Sequence, residues 1–448
     1  MTLAAPRPLR GMEACARVVT AVSEVVAVVG GEGSRLFAQS VREAVAEEGG
    51  ACAVIDGDPA ETRAQAFGEA LAGRRVTFVA SGPHAVHALT PTLAELERLG
   101  VAALVVVPAH GDECGRSLPR EGLDDVRLLL DAPAGVLLAD SVARLIELVV
   151  IAWRIAGETL LPWALAFELH SIGCGVERVQ LPTRDEALRR VLPSSGGGLK
   201  LKARGARVAL VADMVWDAFR DAGLGDGPVV REGAPEAPDV VVALGSRARR
   251  ARRAVRAQVE GEPVGDQVAA LGVLQLRPFP VAAIERGCPD HADVLVDEAF
   301  PDALGTPRLT TLLRSVLGRE RVHPLADWSM HAELSAAEES VLRVDLVWPE
   351  PERSAIVAWA VEFLASAGFE AHARMDEPWG ATVEVSPWTD DSDDRPARVC
   401  LVRGASPWSA RVLEALPEGS LVMVFGELGT EETARVAAAV RERRVRVI

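Results

Sequence analysis

The sequence predicts an α/β protein made of three consecutive open, mostly parallel sheets. Short apolar runs rich in valine alternate along the chain with longer segments of helical periodicity. The 448 residues leave room for about two to four domains. A run of serine and glycine at 194–198 has the composition of a flexible linker and separates the first block from the second.

Six apolar runs indicate that the first block, residues 1–193, is one α/β domain. Each run has the length of a buried strand, and a helical pattern separates it from the next. The runs lie at 25–29, 51–55, 76–80, 102–107, 135–138 and 163–167. Strands joined by helices in this way are typical of a parallel sheet with crossover connections.

Two smaller blocks follow the predicted linker at 194–206. The second block, residues 207–334, begins with an apolar run and continues with three predicted strands. That run and these strands lie at 207–211, 239–244, 272–276 and 293–296. The third block, residues 335–448, combines a helix predicted at 354–366 and a solvated acidic loop at 388–396 with further strands. Those strands are predicted at 342–347, 381–385, 397–402, 420–425 and 445–448.

Composition and charge exclude several classes of function. The chain carries 48 basic and 64 acidic residues, a formal charge of −16, which argues against a general binder of nucleic acid or anionic membrane. Its six cysteines are scattered singly, so we expect no zinc site or iron–sulfur cluster held by this chain alone. The first residues lack a signal-peptide pattern, and charged residues interrupt the apolar stretch at 136–156. A cytoplasmic protein without a membrane span is therefore expected.

Three glycine-containing turns follow predicted strands and open predicted helices. They lie at 30–34, 81–82 and 245–246. Helix amino termini with bare backbone amides bind phosphate, so each turn is a candidate site. The turn at 30–34 matches neither the P-loop nor the complete GxGxxG pattern, and the charge of Glu32 would repel a phosphate. A plain tight turn between strand and helix is the alternative interpretation of all three.

Histidine and arginine residues supply the other candidates. His84 and His87 are three residues apart, but no third ligand follows at a suitable spacing, so no metal site is predicted. His110 ends a predicted strand, where ligands bind in open α/β sheets, and a purely structural histidine is equally consistent with this position. The arginine-rich segment at 247–256 is the one strong basic cluster in the sequence. It is interpreted as a solvated helix face or a docking surface for an acidic partner.

Several phrases of the first block resemble the 2-oxoacid:ferredoxin oxidoreductase family, the pyruvate and indolepyruvate enzymes in particular. The phrases are RGMEACARV at 10–18, SEV at 23–25, EGS at 32–34, FGEALAG at 67–73, VTFVAS at 76–81, GVLLADS at 135–141, LP at 161–162 and HS at 170–171. In that family, the matching domain of the α-type subunit binds the aminopyrimidine end of thiamine diphosphate. The resemblance implies a pyrimidine-type thiamine diphosphate-binding domain for this block.

The two later blocks resemble further domains of the same family. The second is similar to its transketolase C-terminal-like domain, whose strand, Gly-Ser and Arg-Pro-Phe features recur here at 240–246 and 272–279. The third is similar to a degenerate γ-type domain, with its better matches at 380–383 and 412–419. At 348–352, Trp-Pro-Glu-Pro-Glu replaces the glycine-rich loop of the γ-type domain and adds negative charge.

The resemblance implies an α-type subunit that supports oxidative decarboxylation of a 2-oxoacid to an acyl-coenzyme A. Thiamine diphosphate with Mg²⁺ would be shared with a separate β subunit that carries the diphosphate and magnesium motif. This chain has Gly-Asp-Gly at 225–227 but no Asn-Asn at the required downstream spacing. Iron–sulfur clusters would lie only on the partner, and electrons would pass to ferredoxin or another acceptor. The implied assembly is a hetero-oligomer with two copies of this chain, which binds no nucleic acid and no membrane.

The same resemblance assigns the candidate site residues. In the family, a catalytic glutamate activates the pyrimidine of the cofactor. An ungapped count back from Gly68 places Pro59 at that position, and the nearest carboxylate in this chain is Glu61. The resemblance therefore implies Glu61 as the catalytic residue. His110 stands at the position of a substrate-binding arginine, and Glu32 at that of a substrate-contacting threonine. The residues implied to bind the cofactor are Gly31, Gly33, Ser34 and Ser81.

These departures from the family leave two functions open. Glu32, Pro59 and His110 stand in place of family residues, which predicts a 2-oxoacid substrate other than pyruvate. The same changes favour a second interpretation, a catalytically degenerate paralogue that acts as a structural or regulatory subunit. The segment at 247–256 would then be its docking face.

Overall fold

The computed structural model describes most of the first two blocks and six strands of the third. The described residues are 6–48, 52–109, 123–191, 204–223, 227–258, 268–297, 308–325, 342–347, 370–376, 380–386, 399–403, 421–425 and 446–447. Four predicted features lie outside these residues: His110, the helix at 354–366, the acidic loop at 388–396 and the replacement at 348–352. Of the predicted linker, residues 194–203 also lie outside them.

The first block alternates strands and helices, and each of the six apolar runs forms a strand, as predicted. Its strands are β1 (Arg7–Arg10), β2 (Val25–Gly30), β3 (Ala53–Asp56), β4 (Val76–Ala80), β5 (Ala103–Ala109), β6 (Gly135–Leu138), β7 (Pro162–Glu168) and β8 (Val176–Val179). Its helices are α1 (Gly11–Val22), α2 (Glu32–Glu48), α3 (Pro59–Leu71), α4 (Pro83–Leu99), α5 (Asp124–Asp131), α6 (Val142–Thr159) and α7 (Arg184–Val191). A single π-helical turn at Leu169–Gly173 follows β7.

The second block contributes further strands and helices. Its strands are β9 (Val229–Glu232), β10 (Asp239–Leu244), β11 (Val268–Val273), β12 (Gln275–Arg277), β13 (Asp293–Val296) and β14 (Val322–Pro324). Its helices are α8 (Arg204–Asp221), α9 (Gly245–Gln258), α10 (Val281–Gly287) and α11 (Arg308–Leu317). The run at 207–211 lies within α8 and is helical, because buried side chains continue at helical spacing through Val211, Val215 and Phe219.

Seven strands form the first sheet, in the order β12-β6-β7-β5-β4-β2-β3. Neighbouring strands are parallel except that β12 pairs antiparallel with β6 at one edge. The apolar strands β4 and β5 are buried along their whole length, as is typical of a parallel sheet covered by helices on both faces. The carboxyl ends of β2, β4, β5, β6 and β7 consequently lie along one edge of this sheet.

Five strands form the second sheet, in the order β14-β13-β10-β11-β9, with only β9 antiparallel to its neighbour. The single strand predicted at 272–276 is divided between two sheets, because β11 ends at Val273 and β12 pairs with β6 of the first sheet. One hydrophobic cluster contains buried residues of both sheets, including Val105 and Val242. The two sheets accordingly belong to one compact unit, residues 10–173 and 180–332.

The third sheet belongs to a second compact unit, which comprises residues 6–9, 174–179 and 333–448. Its strand order is β1-β8-β16-β17-β15-β18-β19-β20. The strands of the third block are β15 (Leu342–Val347), β16 (Glu370–Asp376), β17 (Gly380–Ser386), β18 (Val399–Arg403), β19 (Leu421–Phe425) and β20 (Arg446–Val447). All five predicted strands are present, whereas β16 escaped prediction because its sequence, EAHARMD, has no valine-rich run. The domain boundaries at 193, 206 and 334 remain predictions.

The apolar stretch at 136–156 forms β6 and most of α6. Ser141 begins this helix, and its hydroxyl accepts a hydrogen bond from the Arg144 amide over 3.3 Å. Large apolar side chains such as Leu148 and Ile155 are fully buried in the core of the first unit. Among the described residues, no helix is both long enough and apolar enough to cross a membrane.

Candidate functional site

The candidate site lies at the carboxyl edge of the first sheet, where the turns after β2 and β4 meet. The Ser81 amide donates a hydrogen bond to the Gly30 carbonyl oxygen over 3.1 Å, which joins the two turns. Gly31 has a φ of +94°, and a Cβ at this position would overlap the Ser81 carbonyl oxygen. A Cβ at Gly33 would lie 2.5 Å from the Ser81 Oγ. The structure thus brings Gly31, Gly33 and Ser81 together, and the turn at 30–34 needs glycine at position 31.

Ser81 connects this pair of turns to β5. Its side chain is buried, and its hydroxyl donates a hydrogen bond to the Pro108 carbonyl oxygen over 2.7 Å. Pro108 precedes Ala109, the last residue of β5, and His110 is next in sequence. Because the Ser81 hydroxyl proton is used within the chain, Ser81 can offer a ligand only the lone pairs of its oxygen.

Ser34 is the polar group of this turn that has no partner. It lies in the first turn of α2, where Glu32 is the first helical residue, and its side chain is fully buried. Its Oγ has no hydrogen-bond partner among the described residues. Buried hydroxyls without partners are rare, since each costs about 1–3 kcal/mol. The Ser34 hydroxyl therefore leaves this turn with a hydrogen-bonding capacity that the described residues do not use.

Ser34→Ala should leave the free energy of unfolding unchanged or raise it by up to about 1 kcal/mol, because it removes a buried hydroxyl without a partner. The matched control is Ser23→Ala, since Ser23 is also buried but its Oγ lies 2.8 Å from the Thr77 Oγ1. The control should lose about 1–2 kcal/mol. Urea denaturation of the full chain measures both. An equal loss in the two variants would show that the Ser34 hydroxyl is satisfied within the protein.

Helix α3 brings Glu61 to the same edge of the sheet. Asp58 caps this helix by accepting hydrogen bonds from the Ala60 and Glu61 amides, at 2.9 and 3.1 Å. Pro59 occupies the first helical position, and a Cβ on Gly30 would lie 3.9 Å from the Pro59 Cγ. The start of α3 therefore adjoins the turn at 30–34. The Glu61 side chain is exposed, which makes its carboxylate accessible to a ligand or to a partner chain.

Buried carboxylates fill the other two candidate turns. Asp125, in the first turn of α5, is fully buried and accepts a hydrogen bond from the Gly82 amide over 2.9 Å. Glu168, the last residue of β7, accepts one from the Ser246 amide over 2.7 Å. Each carboxylate places a negative charge at a helix amino terminus, where the helix dipole favours it. At the third predicted turn, 30–34, the described residues place no carboxylate that caps the helix.

Sequence reasoning missed both Asp125 and Glu168. A usable signal exists for the first of them, because α4 begins at Pro83, after Ser81 and Gly82, without a capping side chain of its own. A helix that lacks a local cap needs a partner from elsewhere when its amino terminus is buried. The sequence does not reveal which residue supplies that partner, since the capping carboxylate comes from another helix.

Comparison with known proteins supports the fold. No family model and no curated protein sequence matches this chain. A solved structure does match: the 2-oxoglutarate:ferredoxin oxidoreductase from Magnetococcus marinus, with 2-oxoglutarate, coenzyme A and succinyl-CoA bound, at a TM-score of 0.53 and 18% identity. The alignment covers 71% of this chain and 61% of that one. The chain shares the fold of this oxidoreductase.

Transketolases match at lower similarity than the ferredoxin oxidoreductase. A split-gene transketolase, described as an inactive β4 tetramer, has a TM-score of 0.41 and 14% identity, with coverage of 74% of this chain and 94% of that one. Transketolase from Campylobacter jejuni has a TM-score of 0.40 and 12% identity, with coverage of 65% and 40%. The predicted α/β class with open, mostly parallel sheets is confirmed. This chain spans about three fifths of the length of the ferredoxin oxidoreductase that it matches.

Histidine and cysteine side chains form no metal site in the described part of this ferredoxin oxidoreductase fold. His84 and His87 are exposed on α4, and the described residues contain no group of three or more potential ligands. Burial raises the pKa of the thiols of Cys15, Cys52 and Cys288, to about 11 for Cys52 and about 12 for Cys288. These three thiols are therefore protonated at neutral pH and are poor nucleophiles.

The arginine-rich segment at 247–256 forms most of α9 and makes ion pairs within the chain. Arg247 pairs with Asp297 over 2.7 Å, and Arg256 pairs with Glu232 over 2.9 Å. A third arginine, Arg252, is largely buried and pairs with Asp140. The interpretation of this segment as a solvated face or docking surface is therefore incomplete, because at least three of its arginines have structural partners.

Proposed function

We propose that this chain is the α-type subunit of a 2-oxoacid:acceptor oxidoreductase. It would support thiamine diphosphate-dependent oxidative decarboxylation of a 2-oxoacid together with a separate β subunit. The supporting observation is the unfilled turn at 30–34, with the buried Ser34 hydroxyl, at the carboxyl edge of a sheet in a ferredoxin oxidoreductase fold. Ligands of open α/β sheets bind at such an edge.

The described residues fit the aminopyrimidine end of thiamine diphosphate. Glu61 provides an accessible carboxylate for a ring nitrogen, and Ser34, which is fully buried, provides a hydroxyl that a ligand reaches only when the turn opens. Gly31, Gly33 and Ser81 would shape the surface between them. We assign the diphosphate and Mg²⁺ to the β subunit, because Gly-Asp-Gly at 225–227 has no Asn-Asn at the required downstream spacing. When bound, thiamine diphosphate supplies the nucleophilic carbon that adds to the carbonyl group of the 2-oxoacid.

Each candidate residue has a stated role in this proposal. Glu61 would hold a proton between its carboxylate and the pyrimidine, and the β subunit would exclude water from this exposed helix end. His110, next after Ala109 at the end of β5, would bind the substrate carboxylate as a hydrogen-bond donor. Glu32, the first residue of α2, would contact the rest of the substrate. An acid and a histidine at these positions favour a 2-oxoacid other than pyruvate.

The proposal assigns electron transfer to the partner. Iron–sulfur clusters would lie only on the β subunit, from which electrons would pass to ferredoxin or another acceptor. The six cysteines of this chain are scattered singly along the sequence, which supports this assignment. The expected assembly is a cytoplasmic hetero-oligomer with two copies of this chain.

Glu61→Gln is the test of the catalytic assignment, made in the complex with the β subunit. Thiamine diphosphate with Mg²⁺ should bind within a few-fold of the wild-type affinity, because glutamine keeps the shape and one hydrogen bond. Turnover of a panel of 2-oxoacids with a dye acceptor should fall by about tenfold or more, because glutamine cannot exchange a proton with the pyrimidine. Calorimetric titration measures the first quantity and dye reduction measures the second.

The matched control is Glu69→Gln, on the same helix but paired with Arg74 over 3.0 Å near its other end. This variant should bind cofactor and turn over as the wild type does. If the complex binds thiamine diphosphate and Glu61→Gln turns over as fast as the wild type, Glu61 has no catalytic role. A complex that binds no thiamine diphosphate would overturn the enzymatic proposal and favour the degenerate paralogue with a structural or regulatory role.

A further inference from the structure

Two buried carboxylates at the ends of neighbouring strands have no role in the proposed cofactor site. Asp140 follows β6 and is 1% exposed, and Glu168 ends β7 and is 5% exposed. Both contact α9, the arginine-rich helix that follows β10 of the second sheet. Burial of a carboxylate is unfavourable unless hydrogen bonds or an opposite charge compensate it. The contacts with α9 provide that compensation in two different ways.

Glu168 is compensated by the amino terminus of α9. Its Oε2 accepts a hydrogen bond from the Ser246 amide over 2.7 Å and another from the Ser171 hydroxyl over 3.1 Å. Gly245 has a φ of +55°, and a Cβ there would lie 3.0 Å from the same carboxylate oxygen. The turn between β10 and α9 therefore fits closely around the Glu168 carboxylate, which acts as the capping anion of a helix from another sheet.

Asp140 is compensated by a charge farther along α9. The guanidinium of Arg252, whose side chain is 13% exposed, pairs with the Asp140 Oδ2, and the Ser141 hydroxyl donates to its Oδ1 over 3.0 Å. Arg252 lies six residues after Ser246, so the two contacts hold α9 at points almost two helical turns apart. Two separated contacts fix both the position and the direction of a helix.

The strands that carry these carboxylates lead directly to the candidate site. In the register of β5 and β7, Glu168 pairs with Ala109, the residue before His110. The Ala139 amide donates to the Ala166 carbonyl oxygen over 2.9 Å, so the segment leading to Asp140 is still bonded to β7. A displacement of α9 would therefore be transmitted through β7 to the end of β5, the strand that precedes His110.

We propose that Asp140 and Glu168 form a clamp that positions α9 of the second sheet on the carboxyl edge of the first. The clamp makes the second sheet a support for the strand ends beside the candidate site. Asp140 and Glu168 are positioning residues, since they act through α9 and β5. The consequence for the cofactor rests on the proposed function, whereas the clamp itself does not.

Hydrogen exchange of the full chain tests the clamp. In Glu168→Ala, the Ser246 amide should exchange faster by about tenfold or more, and its neighbours in 245–248 should follow, because the carboxylate that accepts from Ser246 and caps the start of α9 is gone. Acetate has the carboxylate and methyl group that this substitution deletes. Sodium acetate should slow exchange in Glu168→Ala relative to sodium chloride at equal ionic strength, and it should have no effect on the wild type. Glu147→Ala, which removes an ion pair with Arg144 on α6, is the matched control and should leave these amides unchanged.

If the alanine variant does not fold, the same exchange measurement is made on Glu168→Gln, because glutamine keeps the shape and one acceptor oxygen. Its amides at 245–248 should exchange a few-fold faster, while those of α2 stay at the wild-type rate. Wild-type exchange at 245–248 in the substituted chains would overturn the clamp. Equal acceleration in α2 and α9 without acetate rescue would overturn it too, since that pattern indicates general destabilisation. These measurements use no cofactor, so failure of thiamine diphosphate to bind the complex would refute the proposed function and leave the clamp intact.

Discussion

Arg252→Met should lower the free energy of unfolding by about 3–5 kcal/mol, because it leaves the Asp140 carboxylate buried without its opposite charge. Asp140 is 1% exposed and the Arg252 side chain is 13% exposed, so water can replace the lost partner only after the structure opens. Burial lowers the pKa of the Arg252 guanidinium, and Asp140 opposes that shift. Methionine keeps most of the side-chain volume, which confines the change to the charge. Urea denaturation of the full chain measures the difference in the free energy of unfolding between Arg252→Met and the wild type.

The matched control for this prediction is Arg256→Met, on the same helix. Arg256 pairs with Glu232, but its side chain is 62% exposed, so the loss should be at most about 1 kcal/mol. The double variant Asp140→Asn with Arg252→Met should recover part of the stability, because no uncompensated charge remains. If Arg252→Met and Arg256→Met have the same small effect, the Asp140 pair is hydrated in solution and the clamp loses its electrostatic basis.

The strands of this fold could be predicted from sequence because their burial is encoded locally. The apolar runs that became β2, β4 and β5 are buried along their length except at Gly30, the last residue of β2, a pattern that a short window reveals. The run at 207–211 shows the limit, since it is valine-rich but belongs to a helix whose buried positions extend to Phe219. The recruitment of β1 and β8 into the third sheet depends on contacts between distant segments, which no local pattern encodes.

The candidate site also combines features that the local sequence predicts with features that depend on distant residues. The glycines and Ser34 of the turn at 30–34 could be found because a strand, a glycine turn and a helix follow one another in sequence. The carboxylates that fill the other turns could not, because Asp125 is 43 residues from Gly82 and Glu168 is 78 residues from Ser246. Sequence therefore found three equivalent turns, and the tertiary structure distinguishes the turn at 30–34, at which the described residues place no capping carboxylate.

Gly31→Ala should lower the free energy of unfolding by about 2–5 kcal/mol. Two costs add at this position: the backbone φ of +94° strains any residue with a Cβ by about 1–2 kcal/mol, and overpacking costs about 1–3 kcal/mol more. The second cost is expected because the added methyl group would overlap the Ser81 carbonyl oxygen, a backbone atom that a rotamer change cannot move. Relief would require the turn at 30–34 to separate from the turn after β4. Urea denaturation again measures the loss.

Gly73→Ala separates these two costs. Gly73 follows α3 with a φ of +84°, and no heavy atom lies within 4 Å of a Cβ placed there. This control should lose only the backbone contribution, about 1–2 kcal/mol. The excess loss in Gly31→Ala then reports the contact between the turns after β2 and β4. Equal losses of unfolding free energy in the two variants would mean that these turns are not packed together in solution. Gly31, Gly33 and Ser81 would then not belong to one site.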